Sequence, residues 1–141
     1  MRKRYIKAVK RRIYDYVVSN YERMDGFIMG AGIWNYKCHV NSVQAVKEGK
    51  AERVIACITV FNNDWKEIIV HFVNQLEDGH YQDNTWGFEF DQYRYYYVKE
   101  VDPIEFNEIE NVLDGLQKTL IKNHSSWFLR KLYGIKLDSF I

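Results

Sequence analysis

Four strand-like runs follow one another between residues 53 and 101, with no helical pattern between them. This feature constrains the fold most. Parallel neighbours need a long crossover, usually a helix, whereas antiparallel neighbours need only a turn. The first run, 53–61, is apolar on both faces and reads as a buried strand. Asn62-Asn63-Asp64 marks a turn, 65–75 the second strand, Glu77-Asp78-Gly79 another turn, and 80–88 the third strand. The fourth, 93–101, sets Tyr93, Tyr95 and Tyr97 on one face. Helical patterns lie only outside this block. The expectation is an α+β fold, with an antiparallel sheet of about four strands and helices packed on it.

The first helical pattern spans 3–23, where Tyr5, Val9, Ile13, Tyr16, Val17 and Tyr21 recur at steps of three and four. Asp25-Gly26 ends it, and the glycine-containing, apolar segment 27–35 reads as a loop lying on the core, able to wall a cleft. A second helix is expected over 38–48, stopped by Gly49. Asp102-Pro103-Ile104-Glu105 announces a third, with a stripe of Phe106, Ile109, Val112, Leu113, Leu116, Leu120 and Ile121. The tail carries Trp127, Phe128, Leu129, Leu132 and Tyr133, and these should pack on the rest. At 141 residues the size fits one domain: a basic helix over 1–25, a core over 30–101, and C-terminal helices over 102–141.

The formal charge is only +1, but residues 1–12 hold seven Lys and Arg and no acid. That segment could engage an acidic partner, nucleic acid or anionic lipid, although a solvated helix face is the commoner meaning of such a run. Phosphate-binding glycine motifs are missing, which leaves nucleotide chemistry unsupported. No apolar run approaches the length of a membrane span, so no membrane partner is expected. The basic start is not followed by an apolar signal region, and the chain reads as cytoplasmic and reduced. Two cysteines make no disulfide scaffold. Cys57 lies in a strand-like run and reads as inert core. His71, His80, Cys38 and Asp83 lack clustered metal-ligand spacing, so neither metal nor cofactor is expected.

Cys38 stands at a loop-to-helix junction, where free N–H groups and a partial positive charge favour a thiolate. Attack by sulfur on an amide or ester carbonyl needs a base to take the thiol proton, a third group to orient that base, and donors for the oxyanion. His71 is the candidate base. Asp83 is the candidate orienter, with Asn84 as the alternative. The Cys38 N–H can face the oxyanion, and Asn35 and Asn41 are weaker side-chain candidates. A five-residue loop over 75–79 sets His71 opposite Asp83, whereas a two-residue turn at Asp78-Gly79 sets Trp86 there instead.

These parts resemble the transglutaminase-like branch of the papain-like cysteine enzymes over residues 30–88. In that family a cysteine opens a helix, a histidine lies on a strand, and an aspartate lies on the next strand. Asp83-Asn84-Thr85 is similar to its Asp-Pro-Thr-like motif, and His71-Phe72 to its histidine followed by an aromatic. Cys38 with Asn41 also resembles the arylamine N-acetyltransferases of the same superfamily. The resemblance implies a cysteine peptidase, amidase or acyltransferase that forms a thioester on a protein or peptide substrate. The alternative is a catalytically inactive relative that binds a protein partner through the same groove.

Overall fold

The computed structural model describes residues 1–140; Ile141 and the side chains of residues 88–90 lie outside the description. Its order is α1 (Arg2–Asn20), β1 (Phe27–Ile28), α2 (Cys38–Lys47), β2 (Arg53–Phe61), β3 (Ile68–Gln75), β4 (Tyr81–Gln82), β5 (Tyr93–Val101), α3 (Ile109–His124) and α4 (Trp127–Leu132). Short 3-10 turns cover Gly87–Gln92, Pro103–Glu108 and Leu137–Ser139. The fold is α+β.

The sheet has five strands rather than four, in the order β1-β4-β3-β2-β5, and it is mixed rather than antiparallel. β1 pairs parallel with β4, while β4, β3, β2 and β5 pair antiparallel along the rest of the order. The extra strand is two residues long, too short for any alternation to register in sequence. The third expected strand shrinks to Tyr81–Gln82. Asp83 ends it, because its Oδ1 accepts from the N–H groups of Thr85 and Trp86 and bends the backbone into a turn. The second strand starts at Ile68 rather than at 65, since Asp64–Glu67 forms a turn. The third helix begins as 3-10 turns, with Asp102 capping Ile104 N–H as the sequence suggests; Glu105 instead faces Lys99, at 3.7 Å.

The segment after α1 bridges the two sheet edges. Tyr97 N–H bonds Glu22 C=O and Met24 N–H bonds Tyr95 C=O on the β5 side. Tyr81 N–H bonds Gly26 C=O, and β1 continues along β4. The sheet therefore curls toward a small barrel, and no long edge is left bare at β5. Inside sit Met24, Ile55, Cys57, Val73 and Tyr95, with Phe27 stacked on Tyr95 at 4.1 Å. The outer face carries Val54, Ala56, Ile58, Val60, Ile68, Val70 and Phe72.

The helices cover that outer face. α1 buries Tyr5, Val9, Ile13 and Val17 at its three- and four-residue spacing, which leaves its basic residues outside. α3 contributes Ile109, Leu120 and Ile121. The tail departs from expectation. Ile135 and Phe140 are buried and Leu129 and Tyr133 pack on the core, but Trp127, Phe128 and Leu132 are 64%, 63% and 64% exposed.

Candidate functional site

β3 holds a strand partner on its β4 side only at Asn74 and Gln75, because β4 leaves the ladder after Gln82. α2 packs against β3 in the space so opened, and its first residue is Cys38. The strand's freed edge still has a donor to satisfy. The Phe72 backbone N–H bonds the Cys38 sulfur. His71, next in the strand, turns to the barrel side and lies near enough to the same sulfur that each group favours the other's charged form.

Asp83 approaches His71 from the end of β4, with Oδ2 2.9 Å from Nε2. Strict continuation of the observed register would set Thr85 opposite His71, since Asn74 pairs with Gln82. Neither register considered from sequence occurs. The turn that Asp83 itself caps carries its carboxylate across instead. Asp83 is fully buried and fully satisfied: Oδ1 accepts from two backbone N–H groups, and Oδ2 accepts from His71 and from the Tyr95 hydroxyl at 2.7 Å. With Nε2 taken by Asp83, Nδ1 is the ring nitrogen left for the thiol.

The electrostatics follow from these contacts. Burial opposes the charged form of His71, but the Asp83 carboxylate and the Cys38 sulfur outweigh it and push its pKa up to about 10. Burial likewise raises the Cys38 thiol, yet bonding to His71, the His71 charge and the Phe72 N–H bring it below its ordinary value. Burial would also raise Asp83, and His71, the Trp86 N–H and Tyr95 together hold it low. The three groups favour a thiolate, an imidazolium and a carboxylate. Trp86 lies flat on the His71 ring, 3.9 Å away and within 4° of parallel, and Tyr93 stacks on the far side of Trp86 at 4.0 Å. An indole face against an imidazolium adds cation–π attraction and keeps water from the His71–Asp83 bond.

The remaining sequence candidates sit nearby in other roles. Asn84 is not on the His71 ring: it donates to Asn74 Oδ1 at 2.8 Å and accepts from Ala31 N–H at 3.0 Å, tying the 27–35 loop to β3. Asn35 and Asn41 bond each other through both amide ends, and Asn41 also donates to Thr85 Oγ1 at 2.9 Å. Asn35 Oδ1 further accepts the Lys37 N–H. This network braces the loop over the Asp83 turn, where Trp34 N–H also bonds Thr85 C=O. No side chain caps α2, which leaves its first-turn N–H groups, that of Cys38 included, for an acceptor from outside.

Cys57 is buried and its thiol pKa is pushed well up by burial; it points at the His71 carbonyl, 3.5 Å away. His80 bonds Asp78 at the surface, 3.0 Å away. Among the described residues no three His, Cys, Asp or Glu side chains gather to hold a metal. None of the described helices is long and apolar enough to cross a membrane. Tyr95 and Trp86 were not singled out from sequence as site residues. Tyr95 had a signal, since it shares a sheet face with Tyr97, the β5 partner of Cys57, and Cys57 pairs with His71. Trp86 had one only under the tight-turn register.

Compared with protein-family models, curated proteins and solved structures, the chain matches none.

Proposed function

We propose that Cys38 is the nucleophile of a cysteine enzyme acting on amide or acyl groups through a thioester, with His71 as general base and then acid and Asp83 as its orienter. One observation carries the reading: a buried imidazole lies 2.9 Å from a buried carboxylate and beside a thiol that it brings below its ordinary pKa. A structural ion pair needs no sulfur at the second nitrogen. The order of parts agrees with the transglutaminase-like branch, and we assign the core around Cys38, His71 and Asp83 to that papain-like plan.

The thiolate attacks the acyl carbon, and the S–C bond forms as the carbonyl π pair moves onto oxygen. The Cys38 N–H and its first-turn neighbours meet that charge. On collapse the bond to the leaving amine or alkoxide breaks, and His71 delivers its proton there. Water or an amine then attacks the thioester and gives its proton back to His71 through the same nitrogen, while the thiolate leaves. A peptide or protein acyl group fits this chemistry, and the 27–35 loop beside Cys38 is the wall on which it would lie.

A second reading has its own observation. Cys38 is only 9% exposed. A site so covered suits a catalytically inactive relative that binds a protein through the same surface. Incubation with small activated p-nitrophenyl esters followed by acid quench and mass spectrometry separates the two. The enzyme reading expects one acyl group on Cys38, lost in Cys38→Ser and accumulating in Asp83→Asn if deacylation slows. No adduct at any pH supports the inactive relative.

A further inference from the structure

The charge of the chain is strongly polarised. Residues 1–12 carry seven Lys and Arg and no acid, and residues 122–140 carry Lys122, Arg130, Lys131 and Lys136 against Asp138 alone. With the whole chain at +1, those two segments together hold +10 and the other residues are left at −9. The two basic segments are neighbours in space. Tyr5 on α1 packs on Tyr133 and Phe140 and its hydroxyl accepts the Ser126 N–H, Arg12 bonds the His124 carbonyl, and Tyr133 bonds Met1. Arg2, Lys3, Arg4, Lys7, Lys131 and Lys136 are all exposed.

Trp127, Phe128 and Leu132 stand out of this same end at nearly two-thirds exposure each. At about 100° per residue the three fall within roughly 140° of one another around α4. Lys131 lies over the Trp127 ring, 5.0 Å away, so a cation sits among the apolar tips. α4 itself is anchored: Ser126 caps it, and Arg130 is buried on Ser125. The apolar side chains are thus presented on a fixed element rather than on a loose tail.

We propose that this end of the molecule, the first half of α1 with α4, docks on an anionic lipid surface. Trp127, Phe128 and Leu132 enter the interfacial layer and the surrounding Lys and Arg meet the headgroups. Aromatic and leucine tips on a basic end of a molecule are the composition that lies in a bilayer interface, where each half of the signal is weak alone. Nucleic acid would use the charge but not Leu132, and Lys131 already occupies a face of the Trp127 ring on which a base would stack. The absence of a spanning helix does not bear on such a surface contact. The proposal is independent of the thiol chemistry.

Co-sedimentation with vesicles of phosphatidylcholine alone and of phosphatidylcholine with about 30% phosphatidylserine tests it. The full chain should bind only the second, and Trp127→Ser/Phe128→Ser/Leu132→Ser should weaken binding at least about tenfold. Circular dichroism checks that this variant stays folded. If it does not, quenching of tryptophan fluorescence by bromolipid, present in the parent and reduced in Trp127→Phe, gives the same answer. Binding to phosphatidylserine vesicles that the triple variant leaves unchanged overturns the insertion. Binding of a single-stranded RNA 20-mer with no vesicle binding overturns the lipid assignment. A dimer in size-exclusion chromatography that the triple variant turns into a monomer, again without vesicle binding, overturns it in favour of a second copy of this chain.

Discussion

At the scale of single residues, position in the site separates groups that look alike in sequence. Asp83 and Asn84 are adjacent, and both read as candidates to orient the imidazole; only Asp83 touches it, while Asn84 fastens Ala31 to Asn74. Asp83→Asn should therefore cost turnover by about 10⁴, as loss of the orienting carboxylate does in serine triads. Asn84→Ala should cost far less turnover and show mainly as a lower melting temperature, since it unties a loop. Steady-state assays on the two variants check this, and equal losses would contradict it. The pH dependence of stability is a second expectation. His71 is raised from 6.5 to about 10, so its contribution is whole below about 6.5 and is lost as pH climbs through 10. Asp83 is lowered from 3.8, so its contribution is whole above that value and is lost as pH falls through its depressed one. The lowered thiol of Cys38 gains stability as pH rises toward 9 and runs against His71. In Cys38→Ala that opposing titration is gone, and so is the sulfur's share of the His71 rise; melting temperature should be highest between about pH 4 and 6.5 and decline at higher pH, with the decline ending below 10. Adding His71→Gln should flatten the alkaline decline.

At the scale of elements, the long patterned segments could be read and the short ones could not. The nine-residue β2 and β5 and the stripe of α1 carry enough periods for side-chain alternation to identify them. β1 and β4 are two residues each, held by pairing with distant chain rather than by their own pattern. Cys38 and His71 could be named because the chain has only two cysteines and four histidines and their chemistry is specific, and Asp83, one of nine aspartates, because it lies on the expected strand after His71. Their contact could not be derived, because it rests on β4 ending at Gln82 and on a turn that Asp83 caps. Tyr95 was hidden among other tyrosines of its strand, and its role depends on one hydroxyl reaching one carboxylate. The 27–35 loop offers a test at this scale. A Cβ on Gly30 would lie 2.5 Å from the Asp83 carbonyl oxygen and 2.9 Å from Asn84 Oδ1, and a Cβ on Gly87 would lie 2.9 Å from the Gly32 backbone. Gly30→Ala must push the loop off the Asp83 turn. It should lower stability by about 1–3 kcal/mol, the cost of overpacking, and reduce Cys38 reactivity as well. Unchanged melting and unchanged reactivity would show that the loop does not brace the site.

At the scale of the whole molecule, one sheet serves two purposes. Its outer face joins α1, α3 and the tail through Val9, Ile13, Ile58, Ile121 and Phe140, while its barrel side holds His71, Asp83 and Tyr95. The basic helix is thus part of the fold's core rather than an arm. Ile13→Ala should cost about 2–5 kcal/mol, readable in a urea titration, because Ile13 is fully buried. Lys7→Ala, on the exposed face of the same helix, should change stability by less than about 0.5 kcal/mol. An equal effect of the two would mean that α1 is not packed on the sheet. Cys38, His71 and Asp83 come from α2, β3 and the turn after β4, so their coupling reports on the assembled fold.

The decisive measurement is the rate of Cys38 alkylation by iodoacetamide against pH, in the parent and in His71→Ala. In the parent, the rate should rise with its inflection below the ordinary thiol range, with a second change as His71 loses its proton near 10. In His71→Ala the inflection should move up to or past the ordinary thiol range, since burial and the Asp83 charge then oppose only the Phe72 N–H. Identical profiles with a single inflection at or above that range would mean that Cys38, His71 and Asp83 are not a working unit.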